Sequence, residues 1–167
     1  FFVYGKNLLI GGGIGVSPLL PLAERGLADT FLLGARTEEE LVFRNRLEHM
    51  IDLRVATDDG SYGHHGFVTH LMEDLDLSSY DHICICGPEM MMKNVLAILD
   101  KQGLSERGQF SLHRYMKCGI GICGSCCMDS SGLRVCTDGP VFAGNVIASS
   151  PEFGKYSRSA SGEKIFY

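Results

Sequence analysis

The sequence has 167 residues, of which 45 % are apolar, and a formal net charge of −5. This length suits one domain of ordinary size with a small appendage, and the apolar fraction is sufficient for a buried core. The acidic balance argues against nucleic acid as a partner, because nucleic acid needs a basic face, and no apolar run reaches the roughly 18 residues of a membrane span.

The first predicted element is a buried strand over residues 7–10, followed by a glycine-rich loop and a helix from Pro18 to about Arg25. Ser17 is a suitable N-cap, and proline is tolerated in a first helical turn. A strand, a glycine loop and a helix start in this order present free backbone N–H groups to an anionic phosphate. The candidate phosphate-binding residues are Gly11, Gly12, Gly13 and Gly15.

The glycine loop departs from the standard dinucleotide fingerprint. Val16 stands at the last glycine position, and the acidic residue expected about 20 positions further on is absent. The second strand, Thr30–Gly34, leads instead to Arg36. This arginine could stack on adenine or meet a ribose phosphate, or it could be a solvated surface residue. The residues alone leave both interpretations open.

A helix is predicted from Glu38 to about His49, with its first-turn acids on a solvated face. The third strand, Leu53–Thr57, ends in Asp58–Ser61. Turn chemistry explains this Asp-Gly segment well, so the sequence alone gives only weak support for a ligand contact at Asp58.

A short helix is predicted from Phe67 to Leu75, and the fourth strand is Tyr80–Cys86. A longer helix follows from Pro88 to Gln102, and its buried stripe is expected to contain Met91, Val95 and Leu99. Cys84 is expected in the core. Cys86 ends its strand, where open α/β sheets bind their ligands, and this position makes it a functional candidate.

A last strand, residues 108–113, completes five alternations of strand and helix. The pattern predicts an α/β fold in which a five-stranded parallel sheet is doubly wound by helices on both faces. Because parallel strands end at one edge, the glycine loop, Arg36, Asp58–Ser61 and Cys86–Glu89 are expected to converge there.

Four cysteines follow the last strand with the spacing C-x4-C-x2-C-x9-C: Cys118, Cys123, Cys126 and Cys136. This is the plant-type spacing whose thiolates hold a 2Fe-2S cluster. Zinc is the competing metal, but zinc ribbons usually contain two C-x2-C pairs, and only Cys123 and Cys126 have that spacing. Seven cysteines in total, five of them within this segment, indicate a metal site in a reducing compartment, and we expect a cytoplasmic protein.

The predicted domain organisation has three parts. Residues 1–113 form a nucleotide-binding domain, residues 114–148 form a small cluster-binding module, and residues 149–167 form a tail. Within the module, residues 128–136 are predicted to form a β-hairpin with its tip at residues 129–132. The tail carries scattered aromatic residues and is expected to lie over a surface or meet a partner.

The chain resembles the electron transfer subunits of NAD-linked, two-subunit dihydroorotate dehydrogenases, within the ferredoxin-NADP reductase superfamily. The resemblance covers nearly the whole chain, and its cysteine module is the specific part, because the nucleotide motifs alone identify only the superfamily. The segments that carry it are Gly11–Leu19, Leu33–Arg36, Thr57–Ser61, Cys86–Met90, Met116–Cys127 and Cys136–Phe142.

The resemblance implies roles for the matching residues. The NAD pyrophosphate would lie at Gly11–Gly15, and the adenosine near Arg36 and Asp58. The nicotinamide would lie beside the segment from Cys86 to Glu89, against FAD. NADH would bind more tightly than NADPH. The cluster ligands would be Cys118, Cys123, Cys126 and Cys136, and Cys127 would not be a ligand.

The resemblance also implies an FMN-containing catalytic subunit as partner, in a heterotetramer, with electron transfer between NAD(H), FAD and the 2Fe-2S cluster in pyrimidine biosynthesis. The family begins with a flavin-binding β-barrel, which the six residues before the first strand cannot form. We therefore expect this chain alone to be an incomplete enzyme that does not bind FAD by itself.

Two alternatives remain. The flavin and iron–sulfur subunits of sulfide dehydrogenases, electron-bifurcating transhydrogenases and hydrogenases look similar over this region, but they are expected to carry an aspartate in place of Cys118. A non-catalytic module stabilised by zinc is the second alternative.

Overall fold

The computed structural model describes residues 1–167. Its strands are β1 (Asn7–Gly12), β2 (Thr30–Ala35), β3 (Asp52–Thr57), β4 (His64–His65), β5 (His82–Cys86), β6 (Gly108–Ser111) and β7 (Val141–Ala143). They form one sheet in the order β4-β3-β2-β1-β5-β6-β7.

The five predicted strands are β1, β2, β3, β5 and β6, and they pair with one another in parallel, as predicted. The sheet has two further edge strands that the sequence did not indicate. β4 has two residues and pairs parallel to β3, and β7 pairs antiparallel to β6. Such short elements carry too few residues for a periodic pattern.

Both faces of the sheet are covered, which confirms the doubly wound architecture. In β1, Leu8 and Ile10 belong to one hydrophobic core and Leu9 belongs to the other, because successive strand side chains point to opposite faces. Phe31 of β2 and Cys84 of β5 pack in the core that contains Leu9. This burial on both faces explains why the strands read as continuous apolar runs.

The helices are α1 (Leu20–Glu24), α2 (Arg44–Leu47), α3 (Glu89–Lys101) and α4 (Gly144–Ala148). The long predicted helix is confirmed as α3, but Met92 lies on its buried stripe with Val95 and Leu99, and Met91 is only partly buried. None of the helices has the length and apolarity required to span a bilayer.

Two predicted helices are largely replaced by turns. The segment from Glu38 to His49 contains a 3-10 helix, Glu38–Glu40, and then α2, because Phe43 between them adopts a left-handed φ of 60°. The segment from Phe67 to Leu75 contains only the 3-10 helix His70–Met72. Helices this short gain little from propagation, and packing of a few apolar side chains decides their form.

The C-terminal region is less regular than predicted. The expected hairpin over residues 128–136 has one isolated bridge, between Cys127 and Arg134, rather than a ladder. The tail forms a separate antiparallel hairpin of β8 (Tyr156–Arg158) and β9 (Lys164–Phe166). Phe153 and Tyr156 are buried, so the tail packs on the body of the protein through part of its aromatic set.

Candidate nucleotide and cluster site

A cavity of about 650 Å³ opens where the central strands end. The carboxyl ends of parallel strands lie at one edge, and the residues after β1, β2 and β3 meet there. Of the residues predicted to bind nucleotide, Gly12, Gly13, Arg36, Asp58 and Pro88 line this cavity. The four predicted segments, at the ends of β1, β2, β3 and β5, therefore each contribute at least one residue to the cavity.

Gly11, Gly15, Cys86 and Gly87 do not line the cavity. They form the packed base beside it, where Gly11 pairs with Cys86 across β1 and β5. A Cβ atom on Gly15 would lie 2.5 Å from the Cys86 carbonyl oxygen and 2.6 Å from the Gly87 Cα. Glycine is thus required at position 15 because the glycine loop touches the backbone of the strand next to it.

The sequence did not indicate several of the residues that line the cavity. Met90, Met91 and Asn94 face the cavity from the start of α3, at the one-turn spacing that could have identified them. Phe67 lines it with a side chain that is 61 % exposed, and no local pattern signals this position. The remaining additional residues are Gly34, Ala35, Glu40, Val68 and Thr69.

Arg36 and Glu40 form a two-point ion pair on the cavity wall. The Nε atom of Arg36 donates to Oε2 of Glu40 at 3.0 Å, and Nη2 donates to Oε1 at 2.6 Å. The guanidinium lowers the pKa of the Glu40 carboxyl, mainly through this hydrogen bonding. Glu40 therefore belongs to the cavity, rather than only to the solvated acidic face that the sequence predicted.

The two strand cysteines are both held as neutral thiols. Cys84 is fully buried in the core, as predicted, and burial raises its pKa to about 12. Burial also raises the pKa of Cys86, partly opposed by a hydrogen bond from the Ser111 hydroxyl. A thiol with a raised pKa is a poor nucleophile, so the contribution of Cys86 is its shape and position at the strand end.

The four spaced cysteines lie on one loop and approach each other in two pairs. The backbone N–H of Cys123 contacts the Cys118 Sγ at 3.4 Å, and the N–H of Cys136 contacts the Cys126 Sγ at 3.5 Å. The structure gathers no group of three or more histidine, cysteine or acidic side chains that could hold a metal ion.

The chemistry of the donor set nevertheless suits a cluster. Hydrogen bonds from the backbone N–H groups of Cys123 and Ile120 lower the pKa of the half-buried Cys118 thiol to about 6. Gly121 has a positive φ of 78°, which lets the loop turn back on itself. The carbonyl of Gly121 also accepts a hydrogen bond from Arg134 at 3.2 Å, which braces the loop from the far side of the module.

Glu89 has a different environment from the one predicted. Its carboxylate faces away from the cavity and accepts a 2.6 Å hydrogen bond from Arg114 and a 2.9 Å bond from the Gly154 N–H. Arg114 also donates to Glu152 at 2.9 Å. All three charged side chains are at most 6 % exposed. This buried triad joins α3, the segment before the cysteine loop, and the tail.

Comparison with known proteins assigns these two regions. A family model described as "Oxidoreductase NAD-binding domain" matches residues 9–96, which is more than half of the chain. The chain belongs to this oxidoreductase family. A second model, "Iron-sulfur cluster binding domain of dihydroorotate dehydrogenase B", matches residues 113–148. The NAD-binding oxidoreductase chain therefore also contains an iron–sulfur-binding domain.

Curated relatives of this oxidoreductase chain confirm the resemblance drawn from the motifs. A probable dihydroorotate dehydrogenase B (NAD(+)) electron transfer subunit of Methanocella arvoryzae is 53 % identical over 94 % of this chain and 62 % of its own length. The corresponding protein of Methanocaldococcus jannaschii is 49 % identical over 97 % of this chain and 64 % of its own length. The chain thus spans just under two thirds of these relatives.

A solved structure is also similar to the oxidoreductase chain. It concerns an NADH-dependent reduced ferredoxin-NADP oxidoreductase, studied for flavin-based electron bifurcation. It superimposes with a TM-score of 0.72 at 35 % identity, over 85 % of this chain and 53 % of the other. This likeness confirms the ferredoxin-reductase type of the fold.

Proposed function

We propose that this chain is the NAD-binding and iron–sulfur part of an electron transfer subunit that links a dihydroorotate dehydrogenase catalytic subunit to NAD in pyrimidine biosynthesis. The observation that carries the proposal is the four-cysteine loop, which directly follows a nucleotide-binding sheet with a cavity at its carboxyl edge. The three proposed regions are residues 1–113 for NAD, 114–148 for the cluster and 149–167 for the tail.

The cavity residues would hold the dinucleotide. In the loop from Gly11 to Gly15, backbone N–H groups would bind the pyrophosphate at Gly12 and Gly13, which line the cavity, while Gly11 and Gly15 form the packed base that holds them. Arg36 and Asp58 would lie beside the adenosine. At the carboxyl end of β5, Pro88 lines the cavity and would meet the nicotinamide, with Cys86 and Gly87 in the packed base beside it. Burial raises the pKa of Cys86, so its neutral thiol adds no charge to this base.

The cysteine loop would hold the cluster through Cys118, Cys123, Cys126 and Cys136. A bound 2Fe-2S cluster carries one electron at a time, which lets it accept or supply single electrons beside a flavin. Backbone N–H groups already contact two of these sulfurs, Cys123 N–H at Cys118 Sγ and Cys136 N–H at Cys126 Sγ, and such hydrogen bonds to sulfur support this assignment. Arg134 and the loop N–H groups steady the backbone and supply hydrogen bonds to sulfur.

The proposal includes partners outside this sequence. FAD would come from the flavin-binding barrel that the family resemblance implies, placed against the nicotinamide. The electron partner would be an FMN-containing catalytic subunit, in a heterotetramer, in the cytoplasm. All seven cysteines are unbridged, which supports a reducing compartment.

An electron-bifurcating flavoprotein is the second candidate, supported by the solved reductase that shares this fold. The cysteine at position 118 favours the dihydroorotate dehydrogenase assignment, because an aspartate is expected there in the bifurcating relatives.

The metal content of the purified chain tests the cluster assignment. We expect anaerobically purified or reconstituted protein to be coloured and to contain two irons and two acid-labile sulfides per chain, as a 2Fe-2S cluster held by four thiolates requires. The measurement is iron, zinc and sulfide analysis with a visible absorption spectrum. A colourless protein with one zinc and no iron would contradict the proposal and support a zinc-stabilised module.

The close approach at Gly15 provides a test of the cavity. We expect Gly15→Ala to reduce NADH affinity and to destabilise the fold by about 1–3 kcal/mol, the usual cost of overpacking, because the new Cβ atom collides with the backbone of Cys86 and Gly87. Isothermal titration with NADH and urea unfolding measure the two effects. The matched control is Gly26→Ala, which strains the backbone at a positive φ of 65° but whose Cβ atom meets nothing within 4 Å and which does not line the cavity, so it should destabilise the fold without changing NADH affinity. Equal NADH affinity in both variants would exclude this role for the loop.

A further inference from the structure

The charged groups of the nucleotide cavity lie together on one wall. Arg36 follows β2, Glu40 belongs to the 3-10 helix Glu38–Glu40, and Asp58 follows β3. No other lining residue carries a charged side chain. One positive and two negative groups give the wall a formal charge of −1. An anion entering here therefore meets a wall that is acidic despite its arginine.

The guanidinium edge of Arg36 is already engaged. Its Nε and Nη2 atoms donate to the two oxygens of Glu40, at 3.0 and 2.6 Å. Arginine recognises a phosphate through the same forked geometry, so Glu40 and a phosphate compete for this edge. The pair is exposed, with 78 % of the Arg36 side chain accessible, so the pair adds little to stability. The pair matters because Glu40 neutralises the charge of Arg36, so that the cavity wall keeps a net negative charge.

NAD and NADP differ only by the phosphate on the 2′-oxygen of the adenosine ribose. That phosphate adds about 1.5 to 2 negative charges at neutral pH. An arginine commonly accommodates it, whereas an acidic side chain accepts a hydrogen bond from the free 2′-hydroxyl of NAD. Both residue types are present on this wall, and the Glu40 carboxylate is hydrogen-bonded to the Arg36 guanidinium.

We propose that Glu40 selects NAD(H) against NADP(H) by occupying the forked edge of Arg36 and leaving the wall negatively charged. Asp58 adds to the repulsion from the end of the neighbouring strand. The inference rests on the proposed function of the cavity as a dinucleotide site, and it adds the residue that determines which dinucleotide binds. The sequence pattern treats Glu40 as one of three equivalent acids, and only its contact with Arg36 distinguishes it.

Isothermal titration of the chain with NADH and, separately, with NADPH tests this selection. We expect the native chain to prefer NADH. In Glu40→Gln the free guanidinium gains a phosphate contact, and NADPH affinity rises about tenfold, as one hydrogen bond to a charged group allows. The ratio of NADPH affinity to NADH affinity therefore rises, and this ratio is the quantity that the test compares. The gain falls with added salt because the charges on this wall are exposed to solvent.

Two further variants make the test specific. Glu39→Gln removes a neighbouring exposed acid that does not line the cavity, and it leaves both affinities unchanged. Adding Arg36→Ala to Glu40→Gln abolishes the gain in NADPH affinity. If Glu40→Gln binds NADH but keeps the native ratio of the two affinities, the selective role of Glu40 is wrong. If the native chain binds neither nucleotide, the dinucleotide site itself is wrong.

Discussion

We expect Cys123→Ser to abolish the iron–sulfur cluster and Cys127→Ser to retain it, although the two cysteines lie four residues apart on the same loop. Cys123 has the plant-type spacing to its neighbours, and its backbone N–H contacts the Cys118 Sγ at 3.4 Å. Cys127 instead pairs through its backbone with Arg134, on the other side of the loop. A serine hydroxyl is a much poorer cluster ligand than a cysteine thiolate because it is far harder to deprotonate, so we expect the cluster to be lost in Cys123→Ser.

The measurement is iron and acid-labile sulfide per chain after anaerobic reconstitution, with visible circular dichroism of the product. Cys127→Ser is the matched control because it removes one thiol from the same loop. Equal loss of iron from both variants would show that the ligand assignment is wrong. Full retention in Cys123→Ser would lead to the same conclusion.

Arg114→Ala destabilises the chain by about 3–5 kcal/mol, the cost of leaving buried charges without their partner. The guanidinium donates to Glu89 at 2.6 Å and to Glu152 at 3.0 and 2.9 Å. Without it, two carboxylates that are 6 % and 2 % exposed have no positive partner, and the hydrogen bonds from backbone N–H groups do not replace that charge. The triad joins α3 to the tail and to the segment before the cysteines. We therefore expect the loss of stability to include the packing of the cluster module.

Urea unfolding of the chain, followed by far-UV circular dichroism, measures this loss. The matched control is Arg25→Ala, at an exposed arginine, which should change the free energy of unfolding by less than about 0.5 kcal/mol. Hydrogen exchange localises the effect, and we expect faster exchange in residues 113–136 and in the tail. A change in Arg114→Ala as small as that of the control would mean that the triad contributes nothing to stability.

The sequence predicted the sheet well because parallel strands buried on both faces are short apolar runs that end at glycines and turns. Residues 7–10, Thr30–Gly34 and Tyr80–Cys86 all appear as neighbouring strands of the sheet. It predicted short helices poorly. Phe43, with its left-handed φ, interrupts a segment whose composition favours one continuous helix. Here the packing of Leu41 and Leu47 in the core overrides local propensity.

The site was predicted in part for a similar reason. Glycines and strand-end residues can be recognised in a sequence because backbone geometry determines where they occur. Gly12, Gly13, Arg36 and Asp58 were identified in this way, and all four line the cavity. Phe67 reaches the same cavity from a separate loop. Its position depends on how that loop packs against the strand edge, and no local pattern encodes this.

By itself the sequence determined the five main strands and their parallel direction, the edge where the nucleotide motifs converge, and the cysteine spacing, because each depends on periodicity or on fixed offsets along the chain. Only the tertiary structure decided that Glu40 holds Arg36 on the cavity wall, and that Glu89 turns away to Arg114 and Glu152. These are contacts between side chains whose neighbours are set by the fold. The arginine that each glutamate contacts, rather than its position in the chain, decides whether it lies in the cavity wall, as Glu40 does, or in the buried triad, as Glu89 does.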